Sequence, residues 1–242
     1  MKKLSLISHY YNHPDMVLDQ IRYWESLPES FLSQVEFILV DDCSQETPSF
    51  TATHLDLKVF RVISDIAWNQ AGARNLGAFH ATGQWGLYFD IDQRFFAEPM
   101  ATVLPHLDRL DPKGMYYFQI KELIDITVNQ SLSHHPNTFL VHLAHFREMA
   151  MYDEDFAGHY GYEDLYMPKV WERNGGIRAL FNNMVFFEDK GFGTSNLNRD
   201  LSRNLALAEQ KLLAGTKNAP GILRFEWERV AIPKATTQPL QA

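Results

Sequence analysis

Short apolar strands alternating with helical segments predict an α/β chain, with a mostly parallel central sheet and helices on both faces. Three observations carry this. The strand candidates Leu4–Ser8, Val35–Val40, Val59–Ile63 and Trp85–Phe89 are apolar almost without interruption, as strands covered on both faces are. Helical spacing of apolar or small residues fills the intervals at 15–26 and 72–81. Two strands stop abruptly at acids, Asp41-Asp42 and Asp90-Ile91-Asp92, and ligands of such sheets bind outside the carboxyl ends of the strands.

In chain order, Leu4–Ser8 runs into the polar loop His9-Tyr10-Tyr11-Asn12-His13-Pro14, which punctuates the first strand. Met16, Leu18, Ile21, Tyr23 and Trp24 form the apolar side of the first helix, with Asp15 expected as its N-cap. The second half is less regular. Strands are expected at Met115–Ile120 and Thr138–Leu143, then an aromatic and glycine-rich loop at Tyr152–Tyr162. A helix follows at Glu163–Asn174, stopped by Gly175-Gly176. Asp200–Leu213 reads as an amphipathic helix, Phe225-Glu226-Trp227 as a late strand, and 235–242 as a loose tail. With no internal repeat or low-complexity linker, one domain over 1–234 is expected, with halves at about 1–110 and 111–215.

Composition excludes several classes. The formal net charge of -8 argues against nucleic-acid binding, which needs a basic face to displace counterions. Cys43 is the only cysteine, so an intramolecular disulfide and paired-cysteine zinc sites are both excluded. The opening Met1-Lys2-Lys3 and the short apolar run behind it do not form a signal peptide, and no segment has the length of a membrane span. A cytoplasmic location with at most peripheral membrane contact is expected. There is no Gly-x-Gly-x-x-Gly after the first strand, no Gly-x-x-x-x-Gly-Lys and no Gly-x-Ser-x-Gly, which disfavours dinucleotide binding, P-loop hydrolysis and serine hydrolysis.

Two groups of residues could carry chemistry. Asp90 and Asp92, just past a strand end, are hard oxygen donors of the kind that bridge Mg²⁺ or Mn²⁺ to substrate phosphates. Solvated turn aspartates have the same spacing. In Asn69-Gln70-Ala71-Gly72-Ala73-Arg74-Asn75-Leu76-Gly77, small residues surround a guanidinium suited to a diphosphate or a carboxylate. A helix packed closely through Gly72 and Gly77, with Arg74 in a structural ion pair, explains that segment equally well. His142 and His145, three apart in an expected strand, should face opposite sides and so form no zinc site.

The ordered set is more specific than its parts. Val40-Asp41-Asp42-Cys43-Ser44, then Asn69-x-x-Gly72-Ala73-Arg74-Asn75-x-Gly77, then Ala81-Thr82-Gly83 and Phe89-Asp90-Ile91-Asp92 resembles the family 2 glycosyltransferases of the GT-A fold, over roughly residues 3–95. The resemblance implies transfer of a sugar from a nucleotide-diphosphate donor, a UDP-sugar being favoured, to the hydroxyl of a glycan or saccharide acceptor. It implies that Asp41 or Asp42 meets the base or ribose, with Ser8 and Tyr10 in the loop lining the same pocket and Asn69 in the same motif. Arg74 and Asp90 are implied beside the diphosphate, and Asp92, with Asp90, at a Mn²⁺ or Mg²⁺ ion.

Downstream, Tyr152-Asp153-Glu154-Asp155-Phe156 and Gly158-His159-Tyr160-Gly161-Tyr162-Glu163-Asp164 are similar to the acceptor-side segment of galactosyltransferase-like members. That similarity implies Asp164 as the base that deprotonates the acceptor, with Glu163 holding it, and an inverting displacement in surface polysaccharide or glycan assembly. Helix-start acids are expected to favour the ionised form. One departure stands out. Such members often carry a metal-binding histidine on a strand about twenty residues later, where this chain has Met184-Val185-Phe186-Phe187-Glu188-Asp189-Lys190-Gly191. Glu188 or Asp189 is the expected substitute ligand, or Lys190 a substitute for the metal's charge. The missing histidine is also the support for the rival reading, a sugar or nucleotide binder that kept the fold and lost turnover; the intact Asp90/Asp92 and Glu163/Asp164 pairs speak against it.

Overall fold

The computed structural model describes residues 2–123, 130–189, 198–216 and 221–233. Lys190 and the tail at 235–242 lie outside the described residues. In chain order the elements are β1 (Leu4–Tyr10), α1 (Pro14–Glu25), α2 (Glu29–Leu32), β2 (Val35–Asp41), β3 (Leu57–Val62), α3 (Gln70–His80), β4 (Trp85–Tyr88), β5 (Gln93–Phe95) and α4 (Ala97–Val103). There follow β6 (Gly114–Leu123), β7 (Gln130–Ser133), β8 (Phe139–His142), α5 (Leu143–Met149), α6 (Glu163–Arg173), β9 (Ile177–Asp189), α7 (Ser202–Leu213) and β10 (Trp227–Val230).

One sheet runs through both halves in the order β10-β3-β2-β1-β4-β8-β6-β9-β5, with β7 paired to β6. The strands read from continuous apolar runs, β3, β2, β1 and β4, are mutually parallel. In the second half β8 lies antiparallel to β4 and β6, β5 antiparallel to β9, and β6 parallel to β9. The late strand sits at Trp227–Val230, two residues beyond its sequence expectation, and closes the edge antiparallel to β3.

Alternation along β1 shows how the sheet feeds two cores. Leu4, Leu6 and Tyr10 pack with Val17, Ile21 and Trp24 of α1, and the Trp24 and Phe37 rings stack at 4.7 Å. Ile7, on the other face, packs with Ala71, Ala73, Leu76 and Ala78 of α3 and with residues of α5 and α6. Close approach requires glycine at two points of α3. A Cβ on Gly77 would lie 2.5 Å from Ile7 Cγ2, and one on Gly72 would lie 2.3 Å from Asn69 Oδ1.

Two local expectations need correction. Helix α1 starts at Pro14 with His13 in the capping position and no side-chain cap; Asp15 falls in the first turn instead. Proline at N1 suits a helix start because its missing N–H has no intrahelical partner to lose. The strand carrying His142 ends there and α5 begins at Leu143, so His142 and His145 do not face opposite sides: their rings lie 5.2 Å apart. The strand-to-helix change replaced a period of two with one near four.

Candidate active site

The parallel strands β1, β2 and β4 all end on one side of the sheet, and the segments leaving them build a cleft of about 710 Å³. Its lining includes Tyr10, Tyr11, Asp42, Asn69, Asp90, Asp92, His135 and Asn137. Two loop residues tie the first strand ends together. The Asn12 N–H donates to Ser44 Oγ at 2.8 Å, and Asn12 Oδ1 accepts from Gln45 N at 2.7 Å.

The consecutive acids Asp41 and Asp42 separate in role. Asp41 accepts from Ser44 N at 2.8 Å and from Arg61 Nη1 at 2.7 Å, closing the turn in which Cys43 takes a φ of 63°. Asp42 turns into the cleft and accepts from Asn69 Nδ2 at 2.9 Å. Burial, with Asp41 and Asp65 nearby, pushes its carboxyl up to about 7 despite the Asn69 hydrogen bond. Ser8 is buried, and its Oγ has no hydrogen-bond partner among the described residues; it does not line the cleft. Tyr10 lines it, and among the described residues its hydroxyl likewise has no hydrogen-bond partner.

Asp90-Ile91-Asp92 forms a tight turn. Gln93 N donates to Asp90 O at 2.9 Å, and Gln20 of α1 braces the turn from below through Ile91 O at 2.9 Å and Gln93 O at 2.6 Å. The fully buried Gln93 side chain accepts from Asp90 N at 3.2 Å and from Thr138 Oγ1, and donates to Asp189 at 3.3 Å. Through this bracing Asp92 and Asp189 face each other's field. Burial, then Asp90 and Asp189, push Asp92 up to about 7, so it stands in a pocket short of positive charge.

Arg74 lies at the meeting point of the two halves. It is 1% exposed and donates to Asp90, to Asn137 Oδ1 and to Tyr152 Oη, the last at 3.2 Å. Burial works against the charge on Asp90, but Arg74, with His135 adding to it, outweighs burial and holds the carboxyl below the usual range. His135 Nδ1 accepts from Asn137 N at 3.3 Å and lies 3.5 Å from Asp90 Oδ2. His9 shares this surrounding. Burial and Arg74 hold it neutral, with its pKa down near 3.

Glu163 and Asp164 open α6 and lie within the field of Arg74. The expectation that the helix start favours their ionised forms is corrected here. Burial is the larger effect; with Asp164 beside it, Glu163 is pushed up to about 7, and burial raises Asp164 as well although Arg74 opposes it. Glu163 is buried and Asp164 only half-buried, so Asp164 is the more accessible acid.

The structure therefore brings Asp42, Asn69, Asp90 and Asp92 to one cleft, with Arg74 behind them; Glu163 and Asp164 do not line that cleft but feel the charge of Arg74. Asp41 serves the turn. Tyr152 stands in the acceptor-side motif and His9 in the segment read from sequence as the loop after the first strand, whereas His135 and Asn137 join the site with no role expected of them from sequence. The role of His135 depends on a loop that only the fold places beside Asp90.

Residues 6–173 match the sequence pattern of Glycosyl transferase family 2. The amylovoran biosynthesis glycosyltransferase AmsB of Erwinia amylovora is 26% identical over 127 residues, which are 50% of this chain and 41% of that protein. The chain thus spans about two fifths of the length of that relative. Among solved structures, S. aureus TarS 1–349 superposes with a TM-score of 0.63 at 16% identity, covering 90% of this chain and 66% of that one. The same protein in complex with UDP-GlcNAc gives 0.63 at 15% identity, covering 90% and 68%. The shared architecture is the GT-A fold, and with its family pattern running through both acid motifs the chain belongs to glycosyl transferase family 2.

Proposed function

We propose that the chain transfers a sugar from a nucleotide-diphosphate donor, a UDP-sugar, to a hydroxyl of a glycan acceptor by a single inverting displacement. The observation that carries this is Arg74: one buried guanidinium joins the donor-side Asp90 to Tyr152 and lies in the field of Glu163 and Asp164. That a basic group acts on both a pair of cleft acids and a pair of helix-start acids supports reading them as one site, as a displacement at an anomeric carbon needs.

In this reading Asp42 and Asn69 hold the base or ribose, with Tyr10 beside them. The acceptor oxygen attacks the anomeric carbon as Asp164 takes its proton, and the bond to the diphosphate breaks as the nucleotide leaves. A carboxyl raised above its ordinary value is a stronger base once ionised, which suits Asp164 to that task. Glu163, buried beside it, orients the acceptor. Arg74 offsets charge on the departing diphosphate.

The residues also fit a divalent cation. Asp92 and Asp189 form an acid pair whose mutual repulsion a cation would relieve, and Asp189 rather than Glu188 is the one coupled to Asp92. Among the described residues no group of three His, Cys, Asp or Glu is arranged to hold a metal alone. Mn²⁺ or Mg²⁺ held by one or two carboxylates and the donor phosphates is the coordination these ions commonly take. Such an ion, when bound, neutralises charge on the leaving diphosphate.

The structures of TarS with UDP-GlcNAc and with UDP support the choice of donor, and the relative named for amylovoran biosynthesis supports a setting in polysaccharide assembly. Among the described residues no helix is long and apolar enough to cross a membrane. The reading takes the reaction as cytoplasmic.

Melting of the protein against UDP, GDP, CDP and TDP, with and without Mn²⁺, tests the donor site. A ligand at ~100 times its dissociation constant adds roughly 2.7 kcal/mol to a folded state it binds exclusively. A shift with UDP that grows with Mn²⁺ is expected; no shift with any nucleotide would sink the reading.

A further inference from the structure

Trp68 sits at the junction between the nucleotide cleft and the loop that leads to Glu163 and Asp164. Its φ is +53°, in the left-handed region where a bulky residue is strained. Such strain persists only where the surroundings over-determine it, and it gathers at ligand sites. The half-buried ring lines the cleft and lies 4.7 Å from that of Tyr160, tilted at 59°. Arg199 covers the Tyr160 ring at 5.5 Å and also lines the cleft.

The two loops are fastened together and from behind. Gly158 N donates to Ala67 O at 2.7 Å, joining the turn before Trp68 to the loop before Tyr160. Asn204 of α7, fully buried, directs its Nδ2 to three carbonyls of that loop: Phe156 at 3.0 Å, His159 at 2.9 Å and Gly161 at 2.8 Å. Neighbouring side chains part company here. Asn69 reaches inward to Asp42, whereas Trp68 reaches across to Tyr160. The ring is thus tied to the acceptor-side loop rather than to the residues proposed for the base.

We infer that Trp68, its ring buttressed from behind by Tyr160, forms a rigid aromatic shelf for the terminal pyranose of a saccharide acceptor, which lays its C–H face on the Trp68 ring. The inference rests on the glycosyltransferase reading and names the part of the cleft that reading left open. A sugar ring has an apolar face and a rim of hydroxyls. Asp65, Gln70 and Arg199, which line the same cleft, supply polar partners for that rim. Aromatic rings held in place present contact area at low entropic cost, and the loop's anchoring by Asn204 fixes them before binding.

The test uses the whole chain with UDP and Mn²⁺, and as probes the methyl glycosides of β-glucose, β-galactose, α-mannose and β-N-acetylglucosamine. Saturation transfer from protein to ring C–H protons is read by NMR, alongside the UDP melting shift. At least one glycoside is expected to receive saturation from the wild type. Trp68→Ala should weaken that glycoside about tenfold, the size of one good ring contact. Trp68→Phe should retain most of the binding, Tyr160→Ala should reproduce the loss, and the UDP shift should stay unchanged in all three. Equal saturation in the wild type and Trp68→Ala overturns the shelf. So does loss of the UDP shift in Trp68→Ala, which would assign the ring to the base. Glycosides that never take saturation while UDP still stabilises the protein also contradict the shelf and leave the donor site standing. A wild type that UDP does not stabilise overturns the donor reading, and the shelf with it.

Discussion

The Asn75 carboxamide holds the backbone of Tyr152 from both sides, donating to its carbonyl at 2.8 Å and accepting from its amide at 2.9 Å. The same Nδ2 donates to Glu154 Oε1 at 2.9 Å, and Glu154 in turn accepts from the backbone of Leu223 and Arg224. One fully buried side chain on α3 therefore fixes the segment whose tyrosine meets Arg74. Replacing Asn75 with Leu strands two buried polar groups, the amide and the carbonyl of Tyr152, each costing about 1–3 kcal/mol, while Glu154 Oε1 keeps the Leu223 amide. A loss of about 3 kcal/mol or more is expected in urea unfolding. Unchanged stability would show that the segment is held by other contacts.

Arg74→Lys tests the guanidinium as a fork rather than a charge. Lysine keeps the charge but cannot donate in one plane to Asp90, Asn137 and Tyr152 together. Turnover should fall by at least tenfold with the fold retained, since a loss of about 1.4 kcal/mol of transition-state stabilisation is a factor of ten. Arg74→Met, which leaves the carboxylate of Asp90 without its buried cation, should cost about 3 kcal/mol of stability. Both are checked by melting and by UDP release.

Raised acids predict a pH dependence of stability in the ligand-free protein. The Glu163 pKa stands near 7 when folded and at its ordinary value of 4.5 when unfolded. Between those values the folded state binds more protons, so stability falls as pH rises. The contribution is fully present below the unfolded value and is lost as pH passes through about 7. The melting difference between Glu163→Gln and the wild type should therefore grow in the variant's favour from pH 5 to pH 8. A difference that does not change over that range would contradict the raised value.

Glu36 provides a control far from the cleft. On β2, fully buried, it accepts from Ser5 Oγ, from Thr82 N and Oγ1, from Gly83 N at 3.0 Å and from Lys58. Its neighbours in the register belong to the amino-terminal halves of β1 and β2, opposite the strand ends that carry Asp42 and Asp90. Glu36→Gln should cost about 2 kcal/mol or more, as lost charge-assisted hydrogen bonds do, and leave UDP affinity unchanged. A weakened UDP shift at full occupancy of the folded state would refute that separation.

The same network explains one part of what the sequence made legible. Ala81-Thr82-Gly83 carries the family resemblance, and its physical role is to cap a buried glutamate, not to meet a ligand. The strands β1, β2 and β4 were readable because each is an apolar run buried on both faces. Strand β5 was not, since Gln93-Arg94-Phe95 has only three residues and its identity comes from pairing with Phe187, Glu188 and Asp189. At the site, Asp90, Arg74, Glu163 and Asp164 stand in motifs that the family resemblance of the ordered set picks out, although the spacing of each motif alone fits a structural role as well. Trp68, His135 and Asn137 do not, because loops far apart in sequence bring them in. Asp41 shows the limit of motif reading: adjacent to Asp42 and chemically identical, it is turned by the Asx geometry toward Arg61.

The central claim, that both acid motifs serve one transfer, is tested most directly by Asp164→Asn assayed for release of UDP from a UDP-sugar, with the UDP melting shift measured on the same sample. The account predicts turnover reduced at least a hundredfold, the usual share of a general base, with the UDP shift preserved. Turnover equal to that of the wild type would contradict the role of Asp164, and loss of the UDP shift would place it in the donor site instead.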